Sequence, residues 1–351
     1  MSTRTPRRSD DRSQDTRASG TPPGKFQYRL IEDVEDLHPY RPGGYLPLQV
    51  GGSLADGRYQ LVGKLGHGGY STIWLARDCH AARYVAAKVL TADASSHSHE
   101  VRVLRSLGSA VSRPGKEVLP PLLDEFWVAG CNGRHRCVVT PPARMSLFDA
   151  KEASVSGVFR PRVAQSMVAQ LIRGVAFLHG LGFVHGDLHL GNILVQFPRS
   201  IDSISPSELY ERYGDPESED VVRLDGHPLA EGGVPPRVFW AGWYGVRCED
   251  LPLGEAAITL SDFGESFAPC ETVRTASKTL PLLQPPRRDS PTSRFPSPSM
   301  FGVWCVVFGR FSGNGRCLRR DGGREGGADG DAARDVGVSA GGDDRLCSLG
   351  G

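Results

Sequence analysis

The stretch Val184-His185-Gly186-Asp187-Leu188-His189-Leu190-Gly191-Asn192-Ile193-Leu194-Val195 sets a carboxylate and an amide five positions apart on a polar loop. The loop follows a helical pattern and runs into an apolar strand. Asp187 can accept or orient the proton of an attacking hydroxyl there, and Asn192 can lend an oxygen to a Mg²⁺. A polar turn between helix and strand is the plainer reading, but it gives no reason for Asp and Asn to stand at this spacing. Further on, Leu260-Ser261-Asp262-Phe263-Gly264 offers a second carboxylate, suited to a Mg²⁺ that bridges phosphate groups. Upstream, Val85-Ala86-Ala87-Lys88 ends an apolar run on a lysine. An ammonium on a buried strand is costly unless anionic groups meet it. Glu100, early in the next helical pattern, is a natural partner. Taken singly, Lys88 could be an edge-strand lysine reaching solvent, and Glu100 a first-turn charge favoured by the helix dipole. Ahead of both lies Leu65-Gly66-His67-Gly68-Gly69-Tyr70-Ser71-Thr72-Ile73-Trp74-Leu75. Gly66 and Gly68 allow a tight turn and let backbone N–H groups approach phosphate oxygens. Alone, this loop reads equally as a flexible hairpin tip. The four segments together, in this order, point to phosphoryl transfer from a nucleotide.

Those residues need elements to hold them. Tyr59–Lys64, Thr72–Ala76 and Tyr84–Val89 are short runs of β-branched, aromatic and aliphatic residues separated by glycine or polar stretches, as in an antiparallel meander. Ser98–Leu107 switches to helical spacing, with Val101, Leu104 and Leu107 on one face. Leu122–Val128 and His135–Thr140 read as further strands. Pro161–His179 is the clearest helix: Val163, Met167, Leu171, Val175 and Leu178 recur at steps of three and four, and Pro161 starts it where a missing N–H costs little. Strands, one helix, strands and then helices imply an α+β fold with two lobes, the first rich in β-structure and the second helical.

The chain has 351 residues, enough for a bilobal domain with tails to spare. Its formal charge of +1 supplies no bulk field toward nucleic acid or a membrane. The eight cysteines form no CxxC pair, which argues against a zinc site and for free thiols in a reducing compartment. No apolar run is long enough to span a bilayer, and no apolar leader opens the chain. Residues 1–36 form a basic, polar tail expected to be disordered, at least through Phe26. Phe197–Glu255 is rich in proline, glycine and acidic residues but carries the aromatics Phe239, Trp240, Trp243 and Tyr244. From Pro285 onward Gly, Arg and Asp dominate without apolar periodicity.

With these residues in view, the chain resembles the SR-protein kinase family, in its divergent fungal branch. Tyr40-Arg41-Pro42-Gly43-Gly44-Tyr45-Leu46-Pro47-Leu48, followed by Asp56-Gly57-Arg58-Tyr59, is similar to that family's entry into the small lobe. The Gly66–Leu75 loop, with Ser71 in the place of a third glycine, also matches, and the long stretch after the Asp187 loop falls where the family carries a spacer. The resemblance runs from Glu32 to Leu283. It implies a protein-kinase-like fold and a Ser/Thr kinase using ATP and Mg²⁺. It further implies Arg/Ser-rich splicing-factor substrates, a monomer without direct nucleic-acid or membrane partners, and cytoplasmic and nuclear location. By match, Leu65, Gly66, His67, Gly68, Gly69, Tyr70, Ser71 and Lys88 would bind nucleotide. Asp187, Lys88, Glu100 and His189 would be catalytic, and Asn192 and Asp262 would hold the metal. The expected layout is a small lobe over 37–142, a partial large lobe over 143–284 with an insert at 198–257, and a low-complexity end over 285–351.

Three departures stand out. Gly186 replaces an Arg that would receive an activation-loop phosphate, so phosphate-controlled ordering is not expected. His189 replaces a Lys that would neutralise the γ-phosphate, so a slower chemical step is expected. Leu280–Pro286 resembles the approach to the family's APE segment, but Arg287 stands where Glu belongs. Val303-Trp304 faintly echoes a later helix, with Gly302 in the place of an Asp, and nothing after it matches. The remaining large-lobe helices are therefore expected to be missing, and the end of the chain resembles translated non-coding sequence. Two alternatives stay open. The His185–Leu194 motif is also similar to that of aminoglycoside and choline kinases, where a His at the place of His189 is normal; the Gly-rich loop, Val85–Lys88 and the entry sequence stand against it. Alternatively the chain is an impaired kinase acting as a nucleotide- or protein-binding module, with the apolar face of Pro161–His179 left exposed.

Overall fold

The computed structural model describes residues 27–229 and 233–272. Residues 1–26, Leu280–Pro286, Arg287 and Gly302–Gly351, for which the sequence sets expectations, lie outside the described residues. The small lobe is a six-stranded antiparallel sheet. Its strands are β1 Ser53–Leu54, β2 Tyr59–Gly68, β3 Ser71–Asp78, β4 Arg83–Leu90, β5 Asp124–Gly130 and β6 Gly133–Thr140, in the spatial order β1-β2-β3-β4-β6-β5. The meander expected from the sequence is present, with β2 continuing four residues past Lys64. Two register shifts in β2, between Leu61 and Gly63 and between Lys64 and Gly66, disturb its alternation. Leu61, Val62, Gly63 and Lys64 are consequently all buried.

Between β4 and β5 come a short helix, α1 Ala92–Ser95, and α2 Glu100–Ser109. Helix α2 buries Val101, Val103, Leu104 and Leu107, the face its spacing implies, and Glu100 opens its first turn. After β6 the chain enters β7 Ala143–Ser146, α3 Leu147–Glu152, α4 Pro161–Gly180 and β8 Ile193–Gln196. Ser146 and Asp149 close a capping box on α3, which fixes where the chain turns into the large lobe. Helix α4 has Pro161 in its first turn and buries Val163, Met167, Leu171, Val175 and Leu178. None of the five exceeds 4% exposure, so the expectation of an exposed apolar α4 face is corrected. They join Val101 and Leu104 of α2, Val138 of β6, and Ile193, Leu260 and Phe263 in one core that runs between the lobes.

The lead-in and the insert depart from the expected layout. The disordered tail does not reach residue 36: Ile31 and Glu35 are buried, and Tyr28 bridges to Arg223. The insert carries α5 Pro206–Tyr213, β9 Ser218–Asp220 and β10 Arg237–Phe239, and β9 pairs antiparallel with β10. Sequence order places it within the large lobe, but it packs on the small one. Phe197, Ile201, Leu209 and Tyr244 cluster with Val62, Leu75 and Tyr84 of β2, β3 and β4. Val221, Val234 and Val238 cluster with Ile31, Leu37, Tyr40 and Tyr45 of the lead-in. The physical reason is that both faces of the sheet are apolar: α5 and Tyr244 cover Leu75 and Tyr84 on the face that also carries Lys88, while Leu46 of the lead-in and Phe239 of the insert cover Trp74, Val85 and Val139 on the opposite face. The chain then forms β11 Ile258–Leu260, which pairs with β8, itself paired with β7.

Candidate active site

The strand register places the site. In the ladders, Gly66 of β2 faces Ile73 of β3, and Ile73 faces Lys88 of β4. Lys88 therefore lies level with the glycine-rich turn that Gly69 and Tyr70 close between β2 and β3. Its Nζ donates to Glu100 Oε2 at 2.8 Å and Oε1 at 3.1 Å, and to Asp262 Oδ1 at 3.0 Å. The Lys88 side chain is 18% exposed, Glu100 6% and Asp262 53%, so the cluster opens outward through Asp262. Burial alone would drive the Lys88 ammonium toward neutrality. Glu100 and Asp262 more than reverse this, and its pKa lies above the ordinary value. Lys88 in turn holds the Asp262 carboxyl below its usual range against its own burial.

Asp262 sits in left-handed backbone, φ 59°, which costs a non-glycine residue about 1 kcal/mol or more. The surroundings hold it there. Phe263 behind it is fully buried, with its ring 5.0 Å from that of His185. His185 Nε2 donates to the Ser261 carbonyl at 2.9 Å, and Ser266 Oγ donates to the His185 carbonyl at 3.0 Å. The Asp187 loop and the Asp262 loop are thus stitched together. Within the first, Asn192 Nδ2 donates to the Asp187 carbonyl at 2.9 Å, which fixes the amide and leaves its oxygen to accept. The Ser261 N–H donates to the Asn192 carbonyl at 3.0 Å.

His189 Nδ1 accepts the Gly191 N–H at 3.1 Å, so the ring proton belongs on Nε2, which stands 3.7 Å from Asp187 Oδ2. Gly186 has φ 84°, and a Cβ there would meet the Glu265 carbonyl oxygen at 2.2 Å. The glycine that reads in sequence as a missing phosphate receiver is thus required by the backbone path itself.

A cleft of about 700 Å³ joins these parts. Its walls include Leu65, Gly66, His67, Gly68, Ser71, Lys88, Glu100, Asn192 and Asp262. Asp187 and His189 stand on the loop beside it, while Gly69 and Tyr70 form the outer turn, where Tyr70 is 71% exposed. At Gly66, Gly68 and Gly69 a Cβ would meet no atom within 4 Å, so packing does not demand glycine there. Open backbone of this kind suits phosphate oxygens approaching N–H groups. Asn192 and Asp262 give only two protein oxygen donors. That sparse set fits Mg²⁺, which takes the rest of its shell from phosphate and water.

Two groups went unrecognised in the sequence. Lys64 is fully buried and donates to Glu35 of the lead-in and, at 3.0 Å, to the Phe239 carbonyl of the insert. Tyr45 of the lead-in donates to the Gly68 carbonyl at 2.8 Å. The other is Ala241, Gly242 and Trp243 of the insert, which line the cleft. The aromatic cluster around Trp243 was their one sequence signal.

The family model of the protein kinase domain matches residues 59–202. SRSF protein kinase 3 of Mus musculus is 34% identical over 170 residues, covering 47% of this chain and 30% of the relative. A serine/threonine protein kinase of Aspergillus fumigatus is 31% identical over 237 residues, covering 67% of this chain and 53% of the relative. The serine/threonine-protein kinase spk-1 of Caenorhabditis elegans is 30% identical over 173 residues, covering 48% and 17%. The chain thus spans about half or less of the curated relatives it matches. A crystal structure of a kinase domain superposes with a TM-score of 0.52 at 16% identity, covering 79% of this chain and 70% of that one, and shares the fold.

Proposed function

This chain belongs to the SR-protein kinase family, and on that premise we propose that it transfers the γ-phosphate of ATP to serine or threonine hydroxyls of Arg/Ser-rich proteins. The observation that carries the reading is Lys88, held between Glu100 and Asp262 beneath a glycine loop whose backbone lies open. In this reading Lys88 binds the α- and β-phosphates and Glu100 positions it. Leu65–Ser71 covers the phosphates through its N–H groups, with Gly69 and Tyr70 shaping the turn. Asn192 and Asp262 hold Mg²⁺, which neutralises phosphate charge when bound. The substrate hydroxyl oxygen bonds to the γ-phosphorus, the bond from that phosphorus to the leaving oxygen of ADP breaks, and the hydroxyl proton passes to Asp187.

His189 is the weak part. His189 accepts the Gly191 N–H through Nδ1 and so does not bring the γ-phosphate the permanent ammonium that a lysine would. The chemical step is therefore slower than with a lysine there. Arg/Ser-rich substrates, and with them cytoplasmic and nuclear location, rest on the resemblance and on the relatives' names.

The test is direct. Purified full chain is mixed with MgATP and an Arg/Ser repeat peptide, alongside Asp187→Ala. Peptide phosphorylation that disappears in the variant is the expected result. Nucleotide binding without transfer would replace this reading with a binding module. Transfer to a small alcohol but not to the peptide would replace it with a small-molecule kinase.

A further inference from the structure

We propose that Trp243 of the insert contacts the nucleoside of the bound nucleotide, closing the end of the cleft away from Lys88. The proposal rests on the reading of the cleft as a nucleotide site and adds a residue to it.

The segment 241–246 is tied down at both ends. The Gly242 N–H donates to the Lys64 carbonyl at 2.8 Å. Arg144 Nε donates to the Tyr244 carbonyl at 3.3 Å, and the Val246 N–H donates to Met145 Sδ at 3.2 Å. Between these ties Tyr244 is buried, its ring 5.6 Å from Phe197 and 5.4 Å from Tyr213. A Cβ on Gly63 would meet the Tyr244 hydroxyl at 2.4 Å, so β2 and this segment touch directly. The segment thus crosses from β2 to β7, over the opening beside the lobe connector at residues 141–142.

Register decides which end of the nucleotide lies beneath it. Lys88 and Asp262 mark the phosphate end. Along β4, Ala86 lies two residues from Lys88, about 7 Å, and faces Thr140 at the end of β6. Ala86 also faces Leu75, and Leu75 faces Gly63, next to Lys64, where Gly242 is bonded. The insert therefore reaches the cleft at the level of Ala86 and Thr140. Ala86 gives that end an apolar wall, and Leu65 and Leu194 also line the cleft. A nucleotide with its phosphates at Lys88 presents its nucleoside there. Trp243 is among the residues lining this cleft, and it is 45% exposed while Phe239 and Tyr244 nearby are buried. A large aromatic ring, anchored through its neighbours and left open at that level, offers a stacking surface to a purine or its ribose.

The experiment measures binding of MgADP and of adenosine to the full chain by calorimetry, for wild type, Trp243→Ala, Trp243→Phe and Lys88→Met. Trp243→Ala is expected to weaken both ligands by roughly five- to thirtyfold, in the range of aromatic–base stacking. Trp243→Phe should keep both within about threefold, and Lys88→Met should weaken MgADP far more than adenosine. In parallel, MgADP should shield part of the tryptophan fluorescence from acrylamide in wild type but not in Trp243→Phe; this readout holds if Trp243→Ala fails to fold. Equal affinities in wild type and Trp243→Ala, or shielding that survives in Trp243→Phe, overturn the inference while nucleotide binding stands. Failure of wild type to bind MgADP or adenosine at all overturns the nucleotide reading itself.

Discussion

Replacing Glu35 removes the only carboxylate that Lys64 meets among the described residues, and leaves an ammonium in the core. The Lys64 side chain is 0% exposed and that of Glu35 2%, so water cannot take the place of either. Lys64 also donates to the Phe239 carbonyl at 3.0 Å, and the Tyr40 hydroxyl donates to Glu35. Breaking one partner of a buried pair costs about 3–5 kcal/mol, because the other charge stays behind uncompensated. Glu35→Gln and Lys64→Met are each expected to fall in that range. The double variant removes both charges and should cost far less than the sum, giving a coupling of at least about 2 kcal/mol. Urea unfolding followed by far-UV circular dichroism at pH 7 measures all four corners of the cycle. The pH dependence supplies a second check. Burial pushes the Glu35 carboxyl up, but the Lys64 ammonium and the Tyr40 hydroxyl bring it below its ordinary value of 4.5. The contribution of the pair is thus complete above about pH 4.5 and shrinks as pH falls through the lower folded value. The gap between wild type and Glu35→Gln should narrow there. Single variants that lose under 1 kcal/mol, or a double variant that is additive, would refute the claim that this pair fastens lead-in, insert and glycine-rich strand together.

Other expectations follow from single contacts. Gly186→Arg, which supplies the residue that would receive an activation-loop phosphate, should cost at least about 2 kcal/mol in thermal unfolding, since φ is 84° and the Glu265 carbonyl fills the Cβ position; an unchanged melting temperature would contradict this. Gly68→Ala should leave melting of the ligand-free chain within about 0.5 kcal/mol, as no atom lies within 4 Å of the added methyl, yet weaken MgATP binding in calorimetry. His189→Lys should raise single-turnover phosphorylation of an Arg/Ser peptide by about tenfold, or about 1.4 kcal/mol of barrier, and no gain would remove the charge argument. Asp262 is held below its ordinary 3.8 by Lys88, so their pairing stabilises the fold above that pH and is lost as pH falls further. In Lys88→Met the half-exposed Asp262 carboxyl loses that support, and acid unfolding should begin at a higher pH.

The sequence by itself determined the residues that line the cleft and the elements beneath them. Gly66, Lys88, Glu100, Asn192 and Asp262 line one cleft because each belongs to a local pattern: a glycine hairpin, an apolar strand, a helix start, a polar loop. Such patterns act over a few residues, and backbone geometry fixes where each side chain falls. The helix at Pro161 was legible for the same reason, as its apolar period exceeds any turn signal within it. The limits of β2 were less so, because two register shifts defeat a period of two. Only the tertiary structure decided what lies on the far side of the small-lobe sheet. Lys64 pairs with Glu35 across 29 positions and bonds Phe239 across 175, and no local pattern encodes a partner at that distance. The same holds for Gly186, whose glycine is dictated by a carbonyl from another loop, and for Trp243, an insert aromatic that reads in sequence as loop. Burial of a charge or placement of a ring depends on which surfaces remain uncovered once the sheet has formed, and that is settled by packing across the whole chain.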